Sequence, residues 1–117
     1  MNEQSRRKEL REQYKRSRPE AGVYRIVNGK NGKSLLGSTA NLASLRSKME
    51  FAKSTNTPGA LDRRLAKDVA QFGLDAFSLE ILDVLEIRPE MTAADVQEEL
   101  ATLEALWRER MDPSFLY

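Results

Sequence analysis

The 117-residue chain contains no cysteine and no histidine. Without cysteine there are no disulfides and no thiolate metal ligands, which fits a reducing, cytoplasmic setting. Without histidine the commonest general base and the commonest metal ligand are both missing. Any catalysis would fall to Tyr, Lys, Arg, Asp or Glu. No apolar run approaches the roughly 20 residues that a membrane-spanning helix needs, so no membrane partner is expected. The opening residues MNEQSRRKELREQYKRSRPE have no apolar core and do not read as a secretory signal. There is no internal repeat and no low-complexity tract.

What is present is ordinary globular material. A hydrophobic content of 40% against 32% charged argues against disorder outside the ends. A chain of this size forms one domain with a modest core, burying roughly two-thirds of its unfolded surface. The net charge of +1 hides a polarity. Residues 1–48 hold 12 Lys/Arg against 4 Asp/Glu, and residues 49–117 hold 7 against 14. A basic half suits phosphate, and an acidic half suits a metal or a basic partner; the two halves can also neutralise each other within the fold.

Local signals give an element order. Residues 2–17 are rich in Glu, Arg, Lys and Gln, with Leu10 and Tyr14 as a narrow apolar strip, and predict a basic N-terminal helix ended by Pro19. GVYRIV predicts a strand by its β-branched and aromatic content. Asn28-Gly29 and Asn31-Gly32 can both take positive φ, so a hairpin turn follows, and KSLLGS returns as the second strand. Asn41 suits the N-cap of a helix over 42–53, with Leu42, Leu45, Met49 and Ala52 inward. A second core helix is expected over 59–72, with Leu61, Leu65, Val69 and Phe72 inward and Gly73 as its stop. AFSLEILDVLE reads as the third strand, with Phe77, Leu79 and Ile81 on one face. Thr92 and Asp95 resemble a capping box for a last helix over 93–111, packing Val96, Leu100, Leu103 and Trp107. The fold class is therefore α/β of the α+β type: a small, mainly antiparallel three-stranded sheet flanked by helices. Residues 1–20 form a basic helical extension and residues 21–117 the domain.

These residues in this order resemble the GIY-YIG nuclease family. Gly22-Val23-Tyr24 stands for the first motif, and ten residues, 25–34, separate it from Leu35-Leu36-Gly37. The family usually continues GSS-x-NL, and this chain reads GSTANL over 37–42. Leu65, Gly73, Ala76, Phe77, Glu80, Ile81 and Leu82 match a further family pattern. Glu104, three residues before Trp107, matches the glutamate of the last helix. The similarity spans roughly residues 21–113.

The resemblance implies cleavage of one DNA phosphodiester bond with one divalent metal, magnesium or manganese. Glu104 would hold the metal, and Tyr24 would act as general base or water positioner. An arginine on the first core helix would steady the phosphate. The usual spacing puts Leu45 there, which leaves Arg46, one residue on, or Lys48, on the same face as Leu45. The sequence departs from the family elsewhere. Leu35 replaces the second tyrosine and can neither donate nor accept a hydrogen bond. Met49 and Ala60 stand at typical histidine positions, and MDPSFLY offers no match for a late asparagine. Plainer readings are a strand aromatic for Tyr24, a solvated helix face for Arg46 and Lys48, and an i,i+4 pair with Arg108 for Glu104.

Arg7, Arg11 and Arg18 on the N-terminal helix, with Lys30 and Lys33 in the hairpin turn, are candidate phosphate contacts. The expectation is a diverged GIY-YIG domain that binds DNA or another nucleic acid, with weak or lost cleavage. The alternatives are an active magnesium-dependent endonuclease and a protein-interaction module using the acidic half and SFLY at 114–117.

Overall fold

The computed structural model describes residues 20–57 and 61–117. The expected basic helix, with Arg7, Arg11 and Arg18, lies outside the described residues, as does Ala60.

Three strands make one antiparallel sheet in the order β2-β1-β3. They are β1 (Ala21–Asn28), β2 (Ser34–Thr39) and β3 (Phe77–Leu85). The turn between β1 and β2 closes with Asn28 N donating to Lys33 O and Gly32 N to Asn28 O, both at 2.8 Å. Of the two Asn-Gly pairs, only the second uses positive φ, at Gly32 (φ 76°). Asn28 stays in the strand and is fully buried.

Three helices accompany the sheet among the described residues. Asn41 caps α1 (Leu42–Thr55) by accepting from Ser44 N at 3.0 Å. The helix expected over 59–72 is shorter. Asp62 caps a single 3-10 turn, Arg63–Leu65, which runs into α2 (Ala66–Phe72). The reason is local: the Asp62 carboxylate takes the Arg64 backbone N–H, so the helical ladder starts there. Gly73, at φ 84°, ends α2 with its N–H on Val69 O. Thr92 and Asp95 cap α3 (Ala93–Arg110) with a complete capping box. No helix among the described residues is long and apolar enough to cross a membrane.

The helices cover both faces of the sheet. Ile26, Leu35 and Phe77 meet Met49 and Ala52 of α1, Val69 of α2, and Leu61, Leu65 and Leu74 in the larger core. On the other face Ala21 packs on Val96 and Leu100 of α3. A bulge divides β3 between the two faces. Tyr24 pairs with Ile81, whereas Val23 pairs with Asp83, leaving Leu82 as the extra residue. Phe77, Leu79 and Ile81 therefore share the α1 face, while Asp83 and Leu85 turn to the α3 face. There Asp83 accepts from Trp107 Nε1 at 3.3 Å, and Leu85 joins the Ala21 cluster.

Of residues 113–117, Leu116 and Tyr117 are docked, whereas Pro113, Ser114 and Phe115 are exposed, so the reading of SFLY as an exposed segment holds for its first half only. Leu116 bridges Ser34 in parallel, and Tyr117 N donates to Ser34 O at 3.0 Å. The Tyr117 hydroxyl donates to Asp68, and Asn28 Nδ2 donates to the Tyr117 oxygen at 3.1 Å. The buried polar group of Asn28 is the physical reason: it needs partners, and Tyr117, Asp68 and the Lys30 backbone N–H supply them. Phe115 is the large apolar side chain this segment leaves exposed.

Candidate functional site

Tyr24 lies in the middle of β1, on the α1 face, opposite Gly37 of β2. A Cβ built at Gly37 would stand 2.6 Å from the Tyr24 hydroxyl and 2.7 Å from Cζ. The tyrosine ring thus rests directly on the glycine backbone, with its hydroxyl over Gly37. This close approach, not positive φ, is what requires glycine at 37.

A cleft of about 100 Å³ opens beside the ring. Tyr24, Lys48 and Asp62 supply its polar lining, and Ile26, Leu35, Leu45, Met49 and Leu61 its apolar floor. Leu35 is fully part of the core at 1% exposure. The volume is well below the ~300–1,000 Å³ of ordinary small-molecule pockets. It admits a small polar group, not a whole nucleotide.

Charges gather around the phenol. Burial pushes the Tyr24 hydroxyl above its ordinary value; Asp62 adds to the rise, Arg64 opposes it and Glu104 adds again. At neutral pH the group is a protonated phenol, a hydrogen-bond donor rather than a base. Asp62 is held at about 2, first by the Arg64 side chain and then by the Arg64 backbone N–H. Two parallel bonds join the pair: Arg64 Nε to Asp62 Oδ1 at 3.1 Å and Nη2 to Oδ2 at 3.0 Å.

The sequence-nominated residues separate on this geometry. Lys48 lines the cleft, and its charge helps depress Asp62. Arg46 is exposed on α1 and does not line it. Glu104 is half-buried on α3; it is off the cleft wall, but its charge acts on Tyr24. It also accepts from Arg108 at 3.5 Å, the i,i+4 contact expected of a plain helix glutamate. Lys30 and Lys33 are exposed in the hairpin turn and do not line the cleft. Lys33 Nζ sits 5.9 Å from the Tyr117 ring centroid, and its charge lowers Asp68. It therefore already has an intramolecular role.

The donor set does not fit a metal held by the protein. Among the described residues no three acidic groups converge on one point. The second carboxylate near Tyr24, Asp62, has both oxygens on the Arg64 guanidinium. Glu104 alone would leave a hard dication almost wholly to water and phosphate oxygens, with Arg64 close enough to repel it.

Asp62 and Arg64 carry no family signature; Asp62 lines the cleft, and Arg64, off its wall, is bonded to Asp62. The available signal was the cap itself: an aspartate just before a buried-leucine run, with the arginine two residues on. Reading the helix as starting at 59 hid it.

Comparison with known proteins returns no matching family model, no similar curated protein and no similar solved structure.

Proposed function

We propose that the domain is a diverged relative of the GIY-YIG nucleases that holds a nucleic-acid backbone, DNA in the first instance, and cuts it weakly or not at all. The make-up of the cleft carries this reading. A cation, Lys48, and a neutral phenol, Tyr24, face the space above a floor that includes Leu35, and the third polar group, the Asp62 carboxylate, has both oxygens taken up by Arg64. A lysine and a hydroxyl can hold a phosphate. A leucine cannot position the attacking water, and a phenol raised by burial is a poor base. Losing one preorganised charge-stabilising group commonly costs ~10²–10³ in rate, and this site lacks at least two. The cysteine-free composition suits action in the cytoplasm.

The test is duplex binding by fluorescence anisotropy at low and high salt, with a nicking assay beside it. Affinity falls steeply as salt rises, because each neutralised phosphate releases counterions. No nicking appears with magnesium or manganese, and Glu104→Ala binds almost as the parent does. Salt-independent affinity refutes the proposal.

A second reading, the active endonuclease, draws on one observation: the Glu104 charge acts on the Tyr24 phenol. Magnesium-dependent nicking that Glu104→Ala abolishes selects it. A protein-interaction role without nucleic acid is weaker, since Leu116 and Tyr117 are already engaged within the fold.

A further inference from the structure

The charge polarity of the chain becomes a difference between the two faces of the sheet. From the start of α1 to the end of α2, residues 42–72 hold six Lys/Arg against three Asp/Glu. On the other face, residues 86–110, which lead into and form α3, hold three against seven. The cations of the α3 side are engaged. Arg25, which follows Tyr24 and so points to the opposite face, pairs with Glu80. Arg88 pairs with Glu90 and Glu99, Arg108 with Glu104, and Arg110 lies over the Trp107 ring. Arg63 and Lys67, by contrast, are exposed and make no ion pair among the described residues. They stand four apart where the 3-10 turn runs into α2, so they share one side of it. Ala66, Ala70 and Gln71 complete that exposed side, which carries no acid. Asp68, the acid of α2, is taken up by Tyr117 and Asn31. The side begins at the cleft, because Asp62, directly before Arg63, lines it together with Lys48.

We infer that this side of α2 is the track on which a nucleic-acid strand, met at Lys48, continues out of the cleft, with Arg63 and Lys67 as its phosphate contacts and the α3 face turned away. The inference deepens the nucleic-acid reading and rests on it. Backbone phosphates ask for cations and hydrogen-bond donors. A protein partner asks for a buried aromatic or aliphatic anchor, and this side has only alanine and glutamine beside its cations. None of the large apolar side chains exposed among the described residues lies on α2. The two alanines leave the helix low between the cations, so a strand can approach it closely. The acidic α3 side repels the same polyanion, which fixes the direction of approach.

Two measurements test this on the full chain. In the first, the affinity of a labelled DNA duplex is measured against salt for the parent, Arg63→Gln, Lys67→Gln, the double variant and Arg110→Gln. The last removes the same charge from the α3 side. Urea midpoints check that each variant folds. Each α2 variant lowers the salt slope by about 0.9, the value of one duplex phosphate contact, and the double variant by about 1.8. Arg110→Gln keeps the slope of the parent. In the second, amide NMR spectra are followed as the duplex is added: signals of residues 63–71 shift, and those of α3 stay in place.

A parent that binds with a slope the double variant retains, or that Arg110→Gln lowers equally, overturns the track and leaves DNA binding standing. Amide shifts confined to α3 do the same. A parent with no salt-dependent duplex binding overturns the nucleic-acid reading and the inference with it. Poly-glutamate bound by that parent and lost in the double variant would then assign this side of α2 to an acidic protein instead.

Discussion

Gly37→Ala tests the contact that shapes the cleft. The new Cβ would meet the Tyr24 hydroxyl at 2.6 Å, Cζ at 2.7 Å and Cε1 at 3.2 Å. Ordinary carbon contacts lie near 3.5–4.0 Å, so the ring must retreat by about 1 Å. It cannot do so freely, because Tyr24 packs against the larger core. Overpacking of this kind typically costs about 1–3 kcal/mol. The backbone at 37 does not need glycine for its φ; among the described residues only Gly32 and Gly73 are glycines with positive φ. Hence the whole penalty belongs to the ring. In a Tyr24→Ala background the same Gly37→Ala change reverses sign and stabilises by about 0.5–1 kcal/mol, the usual advantage of alanine over glycine within a strand. The assay is urea unfolding of the four proteins of the cycle, with unchanged slopes as the check on comparability. An equal penalty for Gly37→Ala with and without the tyrosine ring refutes the contact, and with it the placement of the phenol.

Three further outcomes follow from the same structure. Gly22→Ala is more damaging than Gly37→Ala, by more than 3 kcal/mol, since its Cβ meets the Asp83 carbonyl, backbone that cannot turn aside; urea unfolding ranks the two. Asp62 titrates at about 2, by carbon-detected NMR, and Arg64→Ala returns it toward the unperturbed ~3.9. Because the folded value is the lower one, the stability contributed by this pair is present above pH ~4 and is lost as the pH falls toward 2. Tyr117→Phe costs about 1–2 kcal/mol in urea, because fully buried Asn28 loses an acceptor and Asp68 a donor.

Much of the fold was legible from neighbours along the chain. The hairpin, the Asn41 cap, the Thr92–Asp95 capping box and the inward faces of α1 and α3 each depend on residues within one or two turns of each other. Leu103 and Trp107 of α3 proved half-buried where Val96 and Leu100 are buried, since the helix packs mainly through its first half. The site was less legible. Tyr24 and Lys48 do reach one cleft, but Arg46 does not, although it directly follows Leu45. A rotation of about 100° per residue decides which side chain reaches the wall, and only docking of α1 on the sheet sets that rotation. Asp62 and Arg64 went unseen because a cap and an ion pair look alike in sequence, whatever lies in front of them.

The chain alone determined the order of its elements, the turn chemistry, the absence of thiol and imidazole chemistry, and the separation of basic and acidic halves. These follow from composition and from interactions a few residues long. Tertiary structure decided the rest. Leu82 bulges and turns Asp83 toward Trp107; Tyr24 comes to lie across Gly37; and Asp62, the cap of a turn, comes to line one cleft with a phenol from the first strand. Such meetings depend on how two covered faces of one sheet pack, and no local preference encodes that.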